Sequence, residues 1–148
     1  MWYPHRFAVL GAALCAGYSL IAAAAPPALR LDAPWLRATP PGVTAAAAYA
    51  RFDNPGDSAR RIVGVETAVA AQAGFHSMQH EGGMMQMREM ADLTVPAHGS
   101  ALLAPGANHL MLMGLKRPLA VGETAAIVFV LDDGTRLSAD FPVRDGAP

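Results

Sequence analysis

Cysteine is all but missing from this chain of 148 residues: its one copy, Cys15, lies inside an uncharged run, FAVLGAALCAGYSLIAAAA, from Phe7 to Ala25. Neither sign of charge dominates. Lys and Arg number 11 against 12 Asp and Glu, so the chain offers no polycationic surface of the kind that holds nucleic acid by its phosphates. Catalytic signatures are missing too. There is no HExxH, no serine nucleophile motif and no clustered carboxylate pair near the histidines, which leaves enzymatic chemistry little to stand on.

The one long apolar run follows a short start carrying His5 and Arg6 and ends in small residues before Pro26 and Pro27. That is the form of a secretory signal peptide, residues 1–24, cut near Ala23 to Ala25. The alternative is a retained anchor, since ~20 apolar residues can span a bilayer, but the small residues at its end favour cleavage. Ala12, Ala13 and Leu14 match the Leu-Ala-Gly order of a lipid attachment site poorly, so Cys15 is expected to leave with the signal. The mature chain, 25–148, then has no membrane span and no cysteine. It has neither disulfides nor thiolate ligands to hold it together, and its core must do so.

What is abundant after residue 26 is punctuation: Pro40-Pro41-Gly42, Asn54-Pro55-Gly56, Gly82-Gly83, Pro105-Gly106 and Asp133-Gly134, among others. Breaks so close together leave room for strands and little for long helices. TAAIVFVL runs into Asp133-Gly134, a strong hairpin signal, and RLSADFPV returns with Leu137, Ala139 and Phe141 alternating against Arg136, Ser138 and Asp140, one face buried and one wet. RRIVGVET, SALLAP and HLMLMGL are further strand candidates. The alanine run TAAAAYARFDN favours helix by propensity, but its strand-forming neighbours and the pairing a sandwich needs argue for strand. The expectation is an all-β, single-domain β-sandwich of seven or eight strands with a core about residues 33–143. Ala25 to Leu31 and Asp145 to Pro148 are expected to be loose.

Soft side chains are crowded into one part of the chain. Seven of the eight methionines lie between Met78 and Met113, and four of the five histidines between His76 and His109. A single Met is ordinarily a packing residue, yet these segments also carry His, Gly and charge, which is poor composition for a core. Thioether sulfur and imidazole nitrogen suit Cu(I), whereas hard cations want oxygen. Side chains two apart on a strand share a face, so His109 and Met111 can grip one ion while Leu110 and Leu112 turn inward. By the same rule His76 pairs with Met78, and Met85 with Met87. Met84, Met85, Met90 and Met113 read as packing or a collar around the site. His80, beside Glu81, and His98 read as surface residues, as do Glu81 and Glu89; His80, four residues from His76, is close to the proposed site, and a second copper among the spare His and Met is left open.

His76, Met87, His109 and Met111 are separated by ten, twenty-one and one residues. This spacing resembles that of the PCu(A)C-type periplasmic copper chaperones, formerly a domain of unknown function, at all four positions. YARFDNPG and VPAHGSALLAPGANHLMLMGLKRPLAVGET resemble further blocks of the family, so the likeness covers about residues 33–143. It implies a cupredoxin-like Greek-key β-sandwich in the periplasm that binds Cu(I) through His76, Met87, His109 and Met111. Apart from the resemblance, the chain is expected to be a monomer, and the missing catalytic motifs point to no enzymatic activity. Its partners would be the cytochrome c oxidase copper-site subunit and a Sco-type assembly factor.

Three other readings compete. A blue-copper electron carrier needs a thiolate, which the mature chain lacks. A copper-tolerance or storage protein would use the same ligands without an oxidase recipient. A metal-free interaction module would use its methionines as an adaptable contact surface.

Overall fold

The computed structural model describes residues 28–148; the segment 1–24 expected to be a signal peptide, with Cys15, lies outside the described residues. Among the described residues there are ten strands and no helix: β1 (Arg30–Arg37), β2 (Ala45–Asp53), β3 (Arg60–Thr67), β4 (Ala70–Glu81), β5 (Met84–Met90), β6 (Leu93–Val95), β7 (Ser100–Leu103), β8 (His109–Leu115), β9 (Thr124–Leu131) and β10 (Arg136–Arg144). This is the expected all-β class, with two or three more strands than expected: β6 has only three residues, and β5 is exposed over most of its length and shows no apolar alternation.

The strands pair in the order β5-β4-β8-β2-β1-β10-β9-β3-β6, with β7 also on β2. β1 runs parallel to β10, while the other pairings are antiparallel. The path folds over on itself, so that β2 and β4 face β9 across an apolar interior. Phe129 of β9 sits at the centre of that interior, 5.0 Å from Phe52 in an edge contact, 6.0 Å from Phe141 and 6.4 Å from Phe75. Offset and edge arrangements at such distances are those aromatic quadrupoles favour. The fold is a cupredoxin-like Greek-key β-sandwich.

The alanine run is strand β2, and its composition has a structural use. Ala46 and Ala48 lie opposite Leu112 and Leu110 of β8 on the core side, so small and large side chains alternate across the pair and all four are buried. Tertiary packing thus overrides the helix propensity of alanine. On the other face Ala45 and Ala47 lie opposite Met113 and Met111.

Two details differ from expectation or extend it. The start of the domain is not loose: Leu29 is buried in the core and Arg30 already pairs with Asp53. Pairing is interrupted between Asp32 and Trp35, where Ala33 takes a positive φ of 46° ahead of Pro34, and Trp35 then stacks on Tyr49 at 4.5 Å. Asn54, at the end of β2, is a buried polar knot. Its side-chain amide donates to the carbonyls of Ser58 (2.8 Å) and Val95 (3.2 Å), and its Oδ1 accepts from the Gly56 amide (3.0 Å). A buried side-chain amide with every group paired fixes the neighbouring loops relative to one another.

Candidate metal centre

β4 and β5 form a hairpin whose two-residue turn is Gly82-Gly83, both at positive φ (60° and 81°). Two consecutive left-handed residues make the tight turn that matches the twist of the strands, and glycine adopts it without steric cost. The turn sets the register: Glu81 faces Met84, His80 faces Met85, Met78 faces Met87 and His76 faces Glu89. On its other side β4 pairs with β8, where His76 faces His109 and Gly74 faces Met111.

Opposite residues in a ladder share a face, and so do residues two apart along a strand. His76, His109, Met111 and Met87 therefore all project from the outer face of the sheet. Met78, His80, Met85 and Glu89 do the same. Phe75, Leu110 and Leu112 point the other way into the core. Met84 lies on the reverse face with Glu81, away from the histidines, and is 66% exposed. Met90 does pack against the core.

His76 and His109 are the centre of the arrangement. Their rings lie nearly parallel, 5.9 Å between centroids, and each residue is only 8% exposed. His109 Nδ1 lies 3.0 Å from the Ala107 carbonyl oxygen. A carbonyl accepts only, so Nδ1 carries the proton and Nε2 keeps its lone pair. His76 Nδ1 is buried and has no hydrogen-bond partner among the described residues. An orphaned buried nitrogen is costly unless something fills it, and a metal ion is one such partner.

Met111, two residues along β8 from His109, is flanked by Gly74 on one side and Ala47 on the other. With no bulky neighbour on either strand its thioether is free to lean toward the imidazoles. Met87 occupies the other diagonal from His76, on β5, is 50% exposed, and has Met78 directly across from it. The four residues singled out by spacing are thus on one face. Three of them form a compact group and Met87 stands at its outer edge, next to Met78.

Sequence reasoning treated Glu89 as an ordinary surface residue. It is exposed, yet it faces His76, and its Oε1 is 3.8 Å from where a Cβ on Gly74 would sit. The even spacing across the Gly82-Gly83 turn is the signal that could have found it. Among the described residues no three His, Cys, Asp or Glu side chains converge on one point. A metal held by the imidazole pair must therefore complete its coordination with sulfur or with an outside ligand.

The remaining candidates lie elsewhere. His98 is an exposed residue at positive φ (50°) whose Nε2 lies 2.7 Å from Asp57 Oδ1. It lines a cleft of about 430 Å3 with Arg30, Arg51 and Asn54, which contains neither member of the histidine pair and no methionine. No helix among the described residues is long and apolar enough to cross a membrane.

Comparison with known proteins adds independent findings. Residues 29–143 match the family model described as "Putative lipoprotein LpqE-like". A relative from Leifsonia xyli subsp. xyli, "Putative lipoprotein Lxx21020", is 32% identical over 112 residues, 75% of this chain and 66% of that protein, just under two thirds of its length. Among solved structures, the copper-bound PCuAC domain from PmoF2 superposes with a TM-score of 0.67 at 26% identity, covering 84% of this chain and 97% of that one. The Cu(I) form of DR1885 from Deinococcus radiodurans gives a TM-score of 0.65 at 36% identity, with 78% of this chain and 77% of that one covered.

Proposed function

On the premise that the chain belongs to the LpqE-like family of PCu(A)C-type proteins, we propose that it is a Cu(I)-binding metallochaperone whose cargo is held by His76, His109, Met111 and Met87. The observation that carries this reading is the buried pair His76–His109. One ring has an orphaned nitrogen and the other a lone pair freed by the Ala107 carbonyl. With methionines at two diagonals and no third hard ligand converging, the donor set is two imidazoles and thioethers. That set prefers Cu(I), which accepts trigonal or tetrahedral geometry and soft ligands, over Cu(II), which favours a tetragonal arrangement of nitrogen and oxygen. The relatives whose structures are described as copper-bound and as Cu(I)-bound support the same cargo.

The architecture suits transfer better than storage. The imidazoles are fixed by the sheet and by the core beneath it, while Met87 is half exposed on an edge strand. A recipient can displace the loosest thioether first and enter the coordination sphere before the histidines let go. Thioethers carry no charge and need not lose a proton to bind, so they add no charge to the ion they hold. We assign no catalytic role to the chain and take it to be a secreted, periplasmic monomer. Its recipient would be the copper-site subunit of cytochrome c oxidase, approached with a Sco-type factor.

A second reading has one observation in its favour: Met84, Met85 and Met87 are exposed, as a metal-free contact surface would require. The test separates the two. X-ray absorption of the Cu(I)-loaded protein is expected to count both nitrogen and sulfur neighbours, and His109→Ala with Met111→Ala is expected to abolish this signature. A sulfur-free coordination sphere, or unchanged copper binding in the double variant, overturns the chaperone site.

A further inference from the structure

The tip of the β4–β5 hairpin carries a group of donors that the histidine pair does not use. His80 and Met85 face each other across the ladder, and His80 Nδ1 lies 2.8 Å from Met85 Sδ. Met78 is two residues from His80 on the same strand, and therefore on the same face. Its partner across the ladder is Met87. From this geometry we infer a second Cu(I) site at the hairpin tip, formed by His80, Met85 and Met78, from which copper passes along the outer face to the His76–His109 pair.

Four observations combine. The first is the approach of an imidazole nitrogen to a thioether sulfur, two atoms of the class that binds Cu(I) and that gain little from one another as a hydrogen bond.

The second is segregation by face. The outer face of the tip presents Met78, His80, Met85 and Met87, while Gln79, Glu81, Met84, Gln86 and Arg88 occupy the reverse face. There Arg88 binds Glu81 at 2.5 Å. Arg88 and Glu81 are thus paired off on the side away from the soft donors, the outer-face carboxylate Glu89 stands two rows off opposite His76, and no carboxylate stands in the His80–Met85 row to favour a hard cation.

The third is accessibility. His80 and Met85 are exposed, and a Cβ added at either turn glycine would meet no atom within 4 Å, so a copper donor can reach the tip without moving the fold.

The fourth is spacing. Rows of a ladder two residues apart are separated by about 6.7 Å. His80, Met78 and His76 mark three successive rows of β4, the first two facing Met85 and Met87 of β5 and the third facing Glu89 of β5 on one side and His109 of β8 on the other. Each step is short enough for one thioether, swinging about its three flexible bonds, to serve two neighbouring positions. Met87, in the middle row and half exposed, is the natural carrier.

This inference extends the proposed chaperone site, but the tip site can be tested apart from it. Cu(I) is titrated into the protein against a chromophoric Cu(I) chelator, for wild type, His80→Ala/Met85→Ala and His109→Ala/Met111→Ala, with circular dichroism as the check on folding. Wild type is expected to take about two equivalents and each double variant about one, since each variant removes one trigonal or tetrahedral set of soft donors. A wild type that takes one equivalent, lost in the His109/Met111 variant and unchanged in the His80/Met85 variant, overturns the tip site and leaves the chaperone site standing. One equivalent lost only in the His80/Met85 variant does the reverse. If both sites are present, the His80/Met85 variant should also load its remaining site more slowly than wild type from a Cu(I) complex in stopped flow. An unchanged loading rate overturns the transfer step.

Discussion

Phe75 and His76 are consecutive in sequence and face opposite sides of β4: the Phe75 ring stacks on Phe129 in the core at 6.4 Å, and the His76 ring lies 5.9 Å from His109 outside. Both residues are buried. The His76 imidazole is therefore held in place by the aromatic residue beside it, and the rigidity of the proposed site is borrowed from the core.

Phe75→Leu tests that coupling. It leaves a gap beside Phe129, with an expected loss of about 1–2 kcal/mol in denaturant unfolding. It should also weaken Cu(I) binding about 10-fold in chelator competition, the order seen when the residues that orient a ligand are altered. Unchanged affinity with lowered stability would mean that the two faces of β4 act independently.

Met111→Leu keeps the volume of the side chain and removes its sulfur. Between Gly74 and Ala47 the leucine fits without strain, so the stability change should stay below about 1.5 kcal/mol. Cu(I) affinity should fall by about 100-fold or more, beyond the range of orienting residues, if Met111 is a ligand. A packing role predicts the opposite pattern, and thermal melting alongside copper competition distinguishes them.

Asn54→Ala removes three hydrogen bonds at once and leaves the Val95 carbonyl and the Gly56 amide without their side-chain partner. Stability should fall by about 2–4 kcal/mol. Copper binding should be unaffected, because Asn54 is remote in the ladder from the histidine row.

Four carboxylates lie below their ordinary pKa range. Asp92 is lowered by its hydrogen bond from Arg61, Glu66 by Arg136, Glu123 by Arg117, and Asp133 by the Thr135 side chain. A depressed folded-state pKa contributes stability above the unfolded value, and that contribution is lost as the pH falls through the folded value. The ordinary values here are 3.8 and 4.5, so the melting temperature of the metal-free protein should lose this contribution progressively below about pH 4.5. All four groups are exposed, so each effect is small and screened by salt. Asp92→Asn should flatten the acid limb slightly.

Much of the fold could be read from the residues because local signals and burial agree. In β10 the alternation of Leu137, Ala139 and Phe141 after Asp133-Gly134 marks both strand and turn, and in β8 His109 and Met111 face out while Leu110 and Leu112 face in. The burial of Leu29 and the parallel pairing of β1 with β10 could not be read, since both depend on contacts distant in sequence. β5 was hard to recognise as a strand: it is exposed over most of its length and held by its hairpin partner, so it shows no apolar alternation. At the site, spacing identifies candidate donors but does not say that His76 lies directly opposite His109, or that Met78 stands between Met87 and the pair. Both follow from a register that only the turn and the neighbouring strand define.

The two-residue turn at Gly82-Gly83 makes the identity of the donors a question of odd and even. Lengthening it by a single residue while keeping the pairing of β4 would carry Met85 and Met87 to the wet underside and bring Met84, Gln86 and Arg88 up in their place. A guanidinium would then stand among sulfurs and imidazoles where the proposed Cu(I) would sit. The length of the chain between Glu81 and Met84 thus governs which side chains the outer face can offer to the proposed ion as firmly as any methionine does, although neither glycine is one of its proposed ligands.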